Sequence, residues 1–216
     1  MLKDRFNEIT FEFDKKKILV IGDLMLDTYL WGHSERISPE APVPIVQVNK
    51  VEHNLGGAAN VALNLSSLGC EVFLIGTIGS DPEGEILKNL LNQSNIDFTP
   101  LVEFDSRPTT VKSRIISHDQ QVIRTDRELT HDLSDESNKE LQGLVSSIIN
   151  DVDGIILEDY NKGVLNAGSI SKIINLVKDT DKPIYVDPKE KNFDLYKNVR
   201  LFKPNLSEFR SLYKEN

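Results

Sequence analysis

The 216-residue sequence has only one cysteine, Cys70, so an internal disulfide is excluded. This cysteine content is typical of proteins in reducing compartments and predicts a cytoplasmic location. Basic residues are also scarce, because 25 Lys and Arg stand against 34 Asp and Glu, giving a net charge of −9. Since nucleic-acid binding depends on neutralising phosphates with basic side chains, nucleic acid is not an expected partner.

Long apolar runs and two common nucleotide-binding signatures are missing as well. No apolar run is long enough to span a bilayer, so no membrane partner is expected. No G-x-G-x-x-G follows the first apolar run, which argues against a nicotinamide-dependent dehydrogenase, and no Walker A phosphate loop occurs. The four histidines show no metal-ligand spacing. The composition is otherwise that of an ordinary globular protein, and the length suits one domain.

Short apolar runs alternate with helical patterns through most of the chain. The runs predict strands at 17–21, 72–78, 154–157, 184–186 and 199–202. Helical spacing predicts helices at 58–68, 83–92, 135–149, 169–177 and from residue 205 to the chain end at Asn216. This alternation predicts an α/β fold with a mostly parallel sheet that helices cover on both faces.

Two segments interrupt this alternation. Residues 28–52 contain three prolines and show no helical spacing, and residues 109–127 predict two strands joined by the polar turn His118-Asp119-Gln120. Together the two segments predict a small antiparallel flap, or lid, beside the main sheet of a single domain.

Two glycine-containing motifs point to a small-molecule site. Gly22-Asp23 follows the first strand, and Gly56-Gly57 opens the first helix. Ligands of α/β proteins bind beyond the carboxyl ends of strands and at helix N-termini, and glycine lets a polyol approach the backbone. We therefore predict that Asp23 and Gly57 converge on a polyol-sized hollow beneath the lid. The alternative is that Asp23 is a turn residue and that the glycines only mark the helix entry.

Several motifs occur in the order found in one enzyme family. Gly22-Asp23 and the segments 56–60, 76–81 and 205–208 resemble the ribokinase-like (phosphofructokinase B type) carbohydrate kinases. The segments 36–44, 159–163 and 186–189 are similar to the branch that acts on D-glycero-D-manno-heptose 7-phosphate. The resemblance implies a three-layer α/β sandwich with a β-sheet lid and a homodimer formed through the lids. It also implies transfer of a phosphoryl group from ATP, with Mg²⁺, to the C1 hydroxyl of this sugar phosphate, in the synthesis of ADP-heptose for lipopolysaccharide.

The resemblance further implies a role for each matching residue. Sugar hydroxyls would be held by Asp23, Gly56, Gly57, Asn60 and, from the other side, Asp126. Lys112 and Arg114 would reach from the lid to the phosphate of the substrate. The nucleotide would be bound by Lys162, Asp187, Lys189, Asn205, Leu206, Ser207 and Glu208. Glu208 would also act near Mg²⁺, through water, because this ion prefers oxygen ligands.

One family motif does not occur in this sequence. The family carries a Gly-Ala-Gly-Asp segment whose Asp is the general base and whose amides stabilise the transferred phosphoryl group. The resemblance implies that this general base would lie beyond Asn216, so no catalytic residue can be assigned among residues 1–216. We therefore expect an incomplete kinase domain that is inactive alone; the alternative is a non-catalytic sugar-phosphate-binding module. Two local alternatives also stay open: Asn205 and Glu208 fit a helix cap, and Lys112 and Arg114 fit a charged sheet edge.

Overall fold

The structure is a computed structural model that describes residues 5, 10–99, 101–104 and 107–211. Its main sheet consists of five short strands. The strands are β1 (Lys17–Gly22), β4 (Glu71–Ile75), β9 (Gly154–Glu158), β10 (Ile184–Asp187) and β11 (Leu201–Phe202). They lie in the order β11-β10-β9-β1-β4, and every neighbouring pair is parallel. The predicted parallel α/β sheet is therefore confirmed.

Helices pack on both faces of this sheet. Leu19 and Ile21 of β1 contact one core, which α3 (Asp135–Ile148) and α4 (Ala167–Val177) complete. Val20 points to the second core, which α1 (Ala58–Ser67) and α2 (Pro82–Gln93) cover. Because successive side chains of a strand point to opposite faces, a strand buried on both faces must be apolar, as β1 is from Ile18 onward.

Polar side chains fix where the helices begin. Asp81 caps α2 by accepting a 2.8 Å hydrogen bond from the amide of Gly84, and Pro82 occupies the first turn, as the sequence indicates. Asn166 forms a capping box with Ser169 at the start of α4.

The last described helix, α5, is Leu206–Ser211. The helix was predicted to continue to Asn216, but residues 212–216 lie outside the described residues, so this part of the prediction is not tested. The general base that the resemblance assigns to a position beyond Asn216 also lies outside the structure, and it stays a prediction. The structure accordingly describes the start of this helix and the residues before it.

The lid is a four-stranded sheet in the order β3-β2-β7-β8. Its strands are β2 (Leu24–Ile37), β3 (Pro44–Gly57), β7 (Val111–Ser117) and β8 (Gln120–Arg127). The pairs β2–β3 and β7–β8 are antiparallel, but β2 and β7 are parallel. The prediction of an antiparallel flap was therefore wrong for the central pair. Both strands leave the main domain in the same direction, since the amide of Leu26 binds the carbonyl of Thr110 where they start.

A second correction concerns the strand predicted at 72–78. The chain bends at Gly76, so that β5 (Thr77–Gly79) leaves the main sheet and pairs with β6 (Val102–Phe104). A side chain at Gly76 would lie 2.7 Å from the carbonyl oxygen of Gly22, so this close crossing requires glycine.

Short 3₁₀ helices occupy Phe13–Lys15, Ile149–Asp151 and Glu190–Leu195. In the described ranges, every helix falls short of the length and apolar character that crossing a bilayer demands.

Candidate functional site

Asp23 lies between β1 and β2 and is almost completely buried, with 1% of its surface exposed. Its carboxylate accepts backbone hydrogen bonds from Tyr160 (2.8 Å), Lys162 (3.0 Å) and Val164 (3.2 Å). Burial raises the pKa of Asp23 to about 6, although the three amides favour the charged form. In this structure the Asp23 carboxylate therefore binds the backbone of the loop after β9. The sequence predicts that the same carboxylate contacts sugar hydroxyls.

Arg107 holds the same loop from the other side. Its buried guanidinium donates hydrogen bonds to the carbonyls of Leu129 (3.0 Å), His131 (3.1 Å) and Lys162. Burial lowers the pKa of Arg107, and the charge of Asp23 opposes this effect. The amide of Lys162 thus binds Asp23 and its carbonyl binds Arg107. Both buried charged side chains therefore hold the backbone of this loop in place.

The turn at Gly56-Gly57 lies directly against Asp23. The amide of Ala58 donates a 3.0 Å hydrogen bond to the carbonyl of Asp23, and Gly57 has φ 56°, which favours glycine. A Cβ atom at Gly56 would lie 2.7 Å from Oδ2 of Asp27. The predicted neighbourhood of Asp23 and Gly57 therefore exists, but the carboxylate that borders the glycine pair is that of Asp27.

Asp27 was not predicted as a site residue. Its carboxylate is 22% exposed and forms a 2.7 Å ion pair with Arg114 of the lid. The sequence did carry a signal, because Asp27 is the one charged residue in the run Leu24-Met25-Leu26-Asp27-Thr28. Recognising it would have required reading this run as a strand, in which Asp27 shares a face with Tyr29 and Trp31.

One face of the lid carries most of its charged residues. Directly paired residues of neighbouring strands share a face, and the register therefore defines the Asp27 face. This face includes Asp27, Tyr29, Trp31, Lys50, Glu52, Asn54, Lys112, Arg114, Arg124 and Asp126. Arg114 lies 5.2 Å from the ring centre of Tyr29, and the indole of Trp31 donates a 2.6 Å hydrogen bond to Glu52. Charged and aromatic groups thus extend outward from the glycine turn.

The cations of the Asp27 face are paired within the protein. Lys112 lies 3.2 Å from Asp126 and 3.5 Å from Glu128, and Lys162 reaches the same Glu128 at 2.6 Å. Burial raises the pKa of Asp126, but Lys112 and Arg124 outweigh burial and hold it below its usual range. Lys112, Arg114 and Asp126 therefore lie together on the lid, although the sequence placed Asp126 with the sugar and the two cations with the phosphate. Lys162, predicted with the nucleotide set, pairs with Glu128 next to the lid.

A second charged cluster lies at the carboxyl ends of β9, β10 and β11. Lys203 forms a 2.8 Å ion pair with Asp187, and Lys189 pairs with Glu208. Glu158, the last residue of β9, is 6% exposed and was not predicted. Burial and the neighbouring Asp187 raise its pKa to about 7. Three carboxylates and two lysines therefore meet at the edge where ligands of open α/β sheets bind.

The start of α5 shows the helix cap that the sequence offered as an alternative role for Asn205 and Glu208. The amide of Glu208 donates a 2.9 Å hydrogen bond to Oδ1 of Asn205, and the amide of Asn205 donates a 2.8 Å hydrogen bond to Oε2 of Glu208. Burial raises the pKa of Glu208, but Lys189 and the amide of Asn205 outweigh it and hold the pKa low. Ser207 completes the turn with a 2.7 Å hydrogen bond to Asn205, and Leu206 is exposed. Asn60, on the first turn of α1, is also exposed.

Comparison with known proteins assigns the chain to one family. Residues 15–216 match the pfkB family of carbohydrate kinases. The chain belongs to this family. It is 47% identical over 193 residues to the bifunctional protein HldE of Helicobacter pylori strain P12, covering 89% of this chain and 42% of that protein. It is 41% identical over 201 residues to HldE of Haemophilus influenzae strain PittEE, covering 93% of this chain and 41% of that protein.

Solved structures of pfkB-type kinases share the fold. Phosphofructokinase-2 from Escherichia coli in complex with potassium superposes with a TM-score of 0.71 at 19% identity, covering 93% of this chain and 64% of that chain. Arabidopsis thaliana ribokinase complexed with ribose and ATP gives a TM-score of 0.66 at 15% identity, covering 91% and 62%. This pfkB chain thus has the ribokinase-like fold, and it spans less than half the length of the curated relatives it matches.

Proposed function

We propose that this chain is the sugar-kinase part of a protein that phosphorylates D-glycero-D-manno-heptose 7-phosphate at its C1 hydroxyl, using ATP and Mg²⁺, in ADP-heptose synthesis in the cytoplasm. Family membership and similarity to HldE support the reaction class and the pathway. The observation that carries the proposal is the grouping of Asp27 with the Gly56-Gly57 pair and with the lid cations Lys112 and Arg114.

This grouping suits a sugar phosphate chemically. Asp27 offers carboxylate oxygens to hydroxyl groups, and the two glycines carry no side chain that would keep a ligand from the backbone. Lys112 and Arg114 add positive charge on the same face of the lid, where an anionic group can form charge-assisted hydrogen bonds. Asp23 contributes indirectly, because it holds the loop that presents Lys162.

The cluster at the carboxyl ends of the strands suits ATP and Mg²⁺. Lys189 and Lys203 match nucleotide phosphates, while Glu208, Asp187 and Glu158 supply the oxygen ligands that Mg²⁺ prefers. The described residues contain no group of three His, Cys, Asp or Glu side chains arranged to hold a metal. This donor set fits Mg²⁺, which usually takes one or two carboxylates and completes its shell with water and phosphate. When bound, MgATP would supply the phosphoryl group and neutralise its charge.

Calorimetric titration with the heptose 7-phosphate tests the sugar site. We expect the wild-type chain to bind it and Asp27→Asn to weaken binding by about tenfold or more, as expected for losing a charge-assisted hydrogen bond. Asp119→Asn is the matched control, because Asp119 is exposed in the turn between β7 and β8. Equal binding by both variants would show that Asp27 does not bind the sugar.

A phosphoryl-transfer assay tests the reaction itself. With ATP and Mg²⁺ present, ³¹P NMR of the whole protein that carries this chain should show a second sugar phosphate, at the anomeric position. Phosphorylation of a different hydroxyl, or of an unphosphorylated hexose in preference to the heptose phosphate, would contradict the proposed substrate. Binding without any turnover would favour the alternative, a non-catalytic sugar-phosphate-binding module.

The second face of the lid supports a homodimer formed through the lids. Leu30, Val51, Ile115 and Ile123 are paired across the four strands and form the Leu30 face. Val51 and Ile123 are each 51% exposed, which leaves an apolar row on the surface. Light scattering after size exclusion should give a dimer, and Val51→Lys with Ile123→Lys should give a monomer. Leu68→Lys, at an equally exposed leucine after α1, should leave the mass unchanged.

A further inference from the structure

Two arginines lie directly opposite each other on the lid. Arg114 on β7 and Arg124 on β8 form a pair in the antiparallel register, and both lie on the Asp27 face. Like charges at directly opposite positions of a sheet destabilise it. This arrangement therefore carries a cost in stability that some other interaction must offset.

Internal carboxylates offset this cost only in part. Arg114 is held by Asp27 at 2.7 Å, and Arg124 binds both oxygens of Asp126, at 2.9 and 3.1 Å. Asp126 is shared with Lys112. Counting Lys162 and Glu128, four cations meet three carboxylates in this network. One positive charge is left over, which favours an additional anion.

We propose that Arg124 is a specificity-determining residue that binds the phosphate already present on the sugar, together with Arg114. This inference rests on the proposed function. Arg124 is suited to the role because its guanidinium forms a planar fork that matches a phosphate with two parallel hydrogen bonds. Asp126 holds the guanidinium in place through Nε and Nη2, and half of the Arg124 side chain is exposed, so that a ligand can approach it.

The spacing of the lid strands agrees with this assignment. Arg124 lies two strands away from Asp27, since β7 separates β2 from β8, and neighbouring strands are about 5 Å apart. The Cα atoms of the two residues therefore lie roughly 10 Å apart across the strands and, because Arg124 aligns with Tyr29, roughly 7 Å apart along them. A seven-carbon sugar places C1 and its 7-phosphate at opposite ends of the molecule. Asp27 can then bind hydroxyls near the glycine turn while Arg124 binds the distal phosphate.

The assignment makes Asp126 a counter-ion of the phosphate site, whereas the resemblance predicts a sugar contact. In the structure both its oxygens bind Arg124, and one also binds Lys112. A phosphate that enters must compete with this carboxylate for the same cations. Neutralising Asp126 should therefore strengthen the binding of phosphate-bearing ligands, whereas a direct sugar ligand should lose affinity when it is neutralised.

Calorimetric titrations of two sugars distinguish these roles. The probes are D-glycero-D-manno-heptose 7-phosphate and the same heptose without phosphate, each added to the wild type, Arg124→Gln, Asp126→Asn and Arg200→Gln. Arg200 is exposed just before β11, far along the chain from the lid, and controls for the change in net charge. We expect Arg124→Gln to weaken binding of the heptose 7-phosphate about tenfold or more and to leave the heptose unchanged. Asp126→Asn should bind the heptose 7-phosphate more tightly, and Arg200→Gln should match the wild type.

Other outcomes overturn the inference in recognisable ways. Equal weakening for both sugars in Arg124→Gln would show a general effect on the lid, and no weakening would show that Arg124 does not touch the phosphate. A wild type that binds both sugars equally well would refute the phosphate site but leave the sugar site standing. A wild type that binds neither sugar would refute the proposed function together with this inference.

Discussion

Replacement of Glu158 by glutamine should change how stability depends on pH. Glu158 ends β9 and is almost completely buried. Burial, then the charge of Asp187, raise its pKa from 4.5 to about 7, while Lys203, Lys189 and the hydroxyl of Tyr160 act in the opposite direction. The folded protein therefore binds a proton at Glu158 more tightly than the unfolded chain does.

The magnitude follows from this difference in pKa. The folded and unfolded values differ by about 2.5 pH units, and one unit corresponds to about 1.4 kcal/mol, so ionising Glu158 costs about 3 kcal/mol of stability. Since the folded state holds the extra proton between pH 4.5 and 7, the free energy of unfolding falls as the pH rises through this window. Above pH 7 the full cost is present. Glutamine is neutral at every pH and should not incur it.

Urea unfolding of the wild type and Glu158→Gln at pH 5 and pH 8 measures this cost. We expect nearly equal stability at pH 5, while at pH 8 the variant should be more stable by up to about 3 kcal/mol. Asp23 also has a raised pKa, but it contributes equally to both proteins and cancels in the comparison. Glu140→Gln, at an exposed position of α3, should show no such gain. A Glu158→Gln protein that is less stable than the wild type at pH 8 would refute the reasoning, because the charged form would then be the favoured one.

Three further substitutions test single contacts by urea unfolding. Asp23→Ala leaves three amides of the loop after β9 without an acceptor and should cost about 3 kcal/mol or more; a loss below 1 kcal/mol would mean that water replaces the carboxylate. Gly57→Ala should cost at least about 1–2 kcal/mol, because φ is 56° and the new Cβ would overlap the carbonyl of Asp23; unchanged stability would contradict this crowding. Asn166→Ala should cost about 1–2 kcal/mol through loss of the cap of α4, which Asn166→Asp should partly restore.

Much of the main domain could be predicted from local patterns. The strands β1 and β9 are buried on both faces, and burial of this kind leaves an apolar run in the sequence. The cap at Asp81 depends on Gly84, only three positions away, whereas α4 starts at Ala167, two residues before its predicted start at 169. The bend at Gly76 escaped prediction because its cause is the carbonyl of Gly22, a contact distant in sequence.

The lid was harder to predict because its strands bury little apolar surface. β8 is exposed along its whole length, and β2 changes from buried to exposed residues as it leaves the main domain. A strand with polar residues on both faces has no clear alternation to read. The parallel pairing of β2 with β7 joins residues more than eighty positions apart, and no local signal specifies it.

Asp23 and Asp27 lie close together in the chain, but their carboxylates have different surroundings in the structure. Both residues lie within one short segment that contacts the Gly56-Gly57 pair, so the predicted neighbourhood of Asp23 and these glycines is present. A buried carboxylate needs hydrogen-bond donors, and the loop after β9 supplies three amides to Asp23. Asp27 instead starts the charged face of the lid, partly exposed and paired with Arg114. Any ligand that binds beside the Gly56-Gly57 pair must therefore compete with the ion pair between Asp27 and Arg114. Reaching the Asp23 carboxylate would instead require breaking its hydrogen bonds to the backbone of the loop after β9.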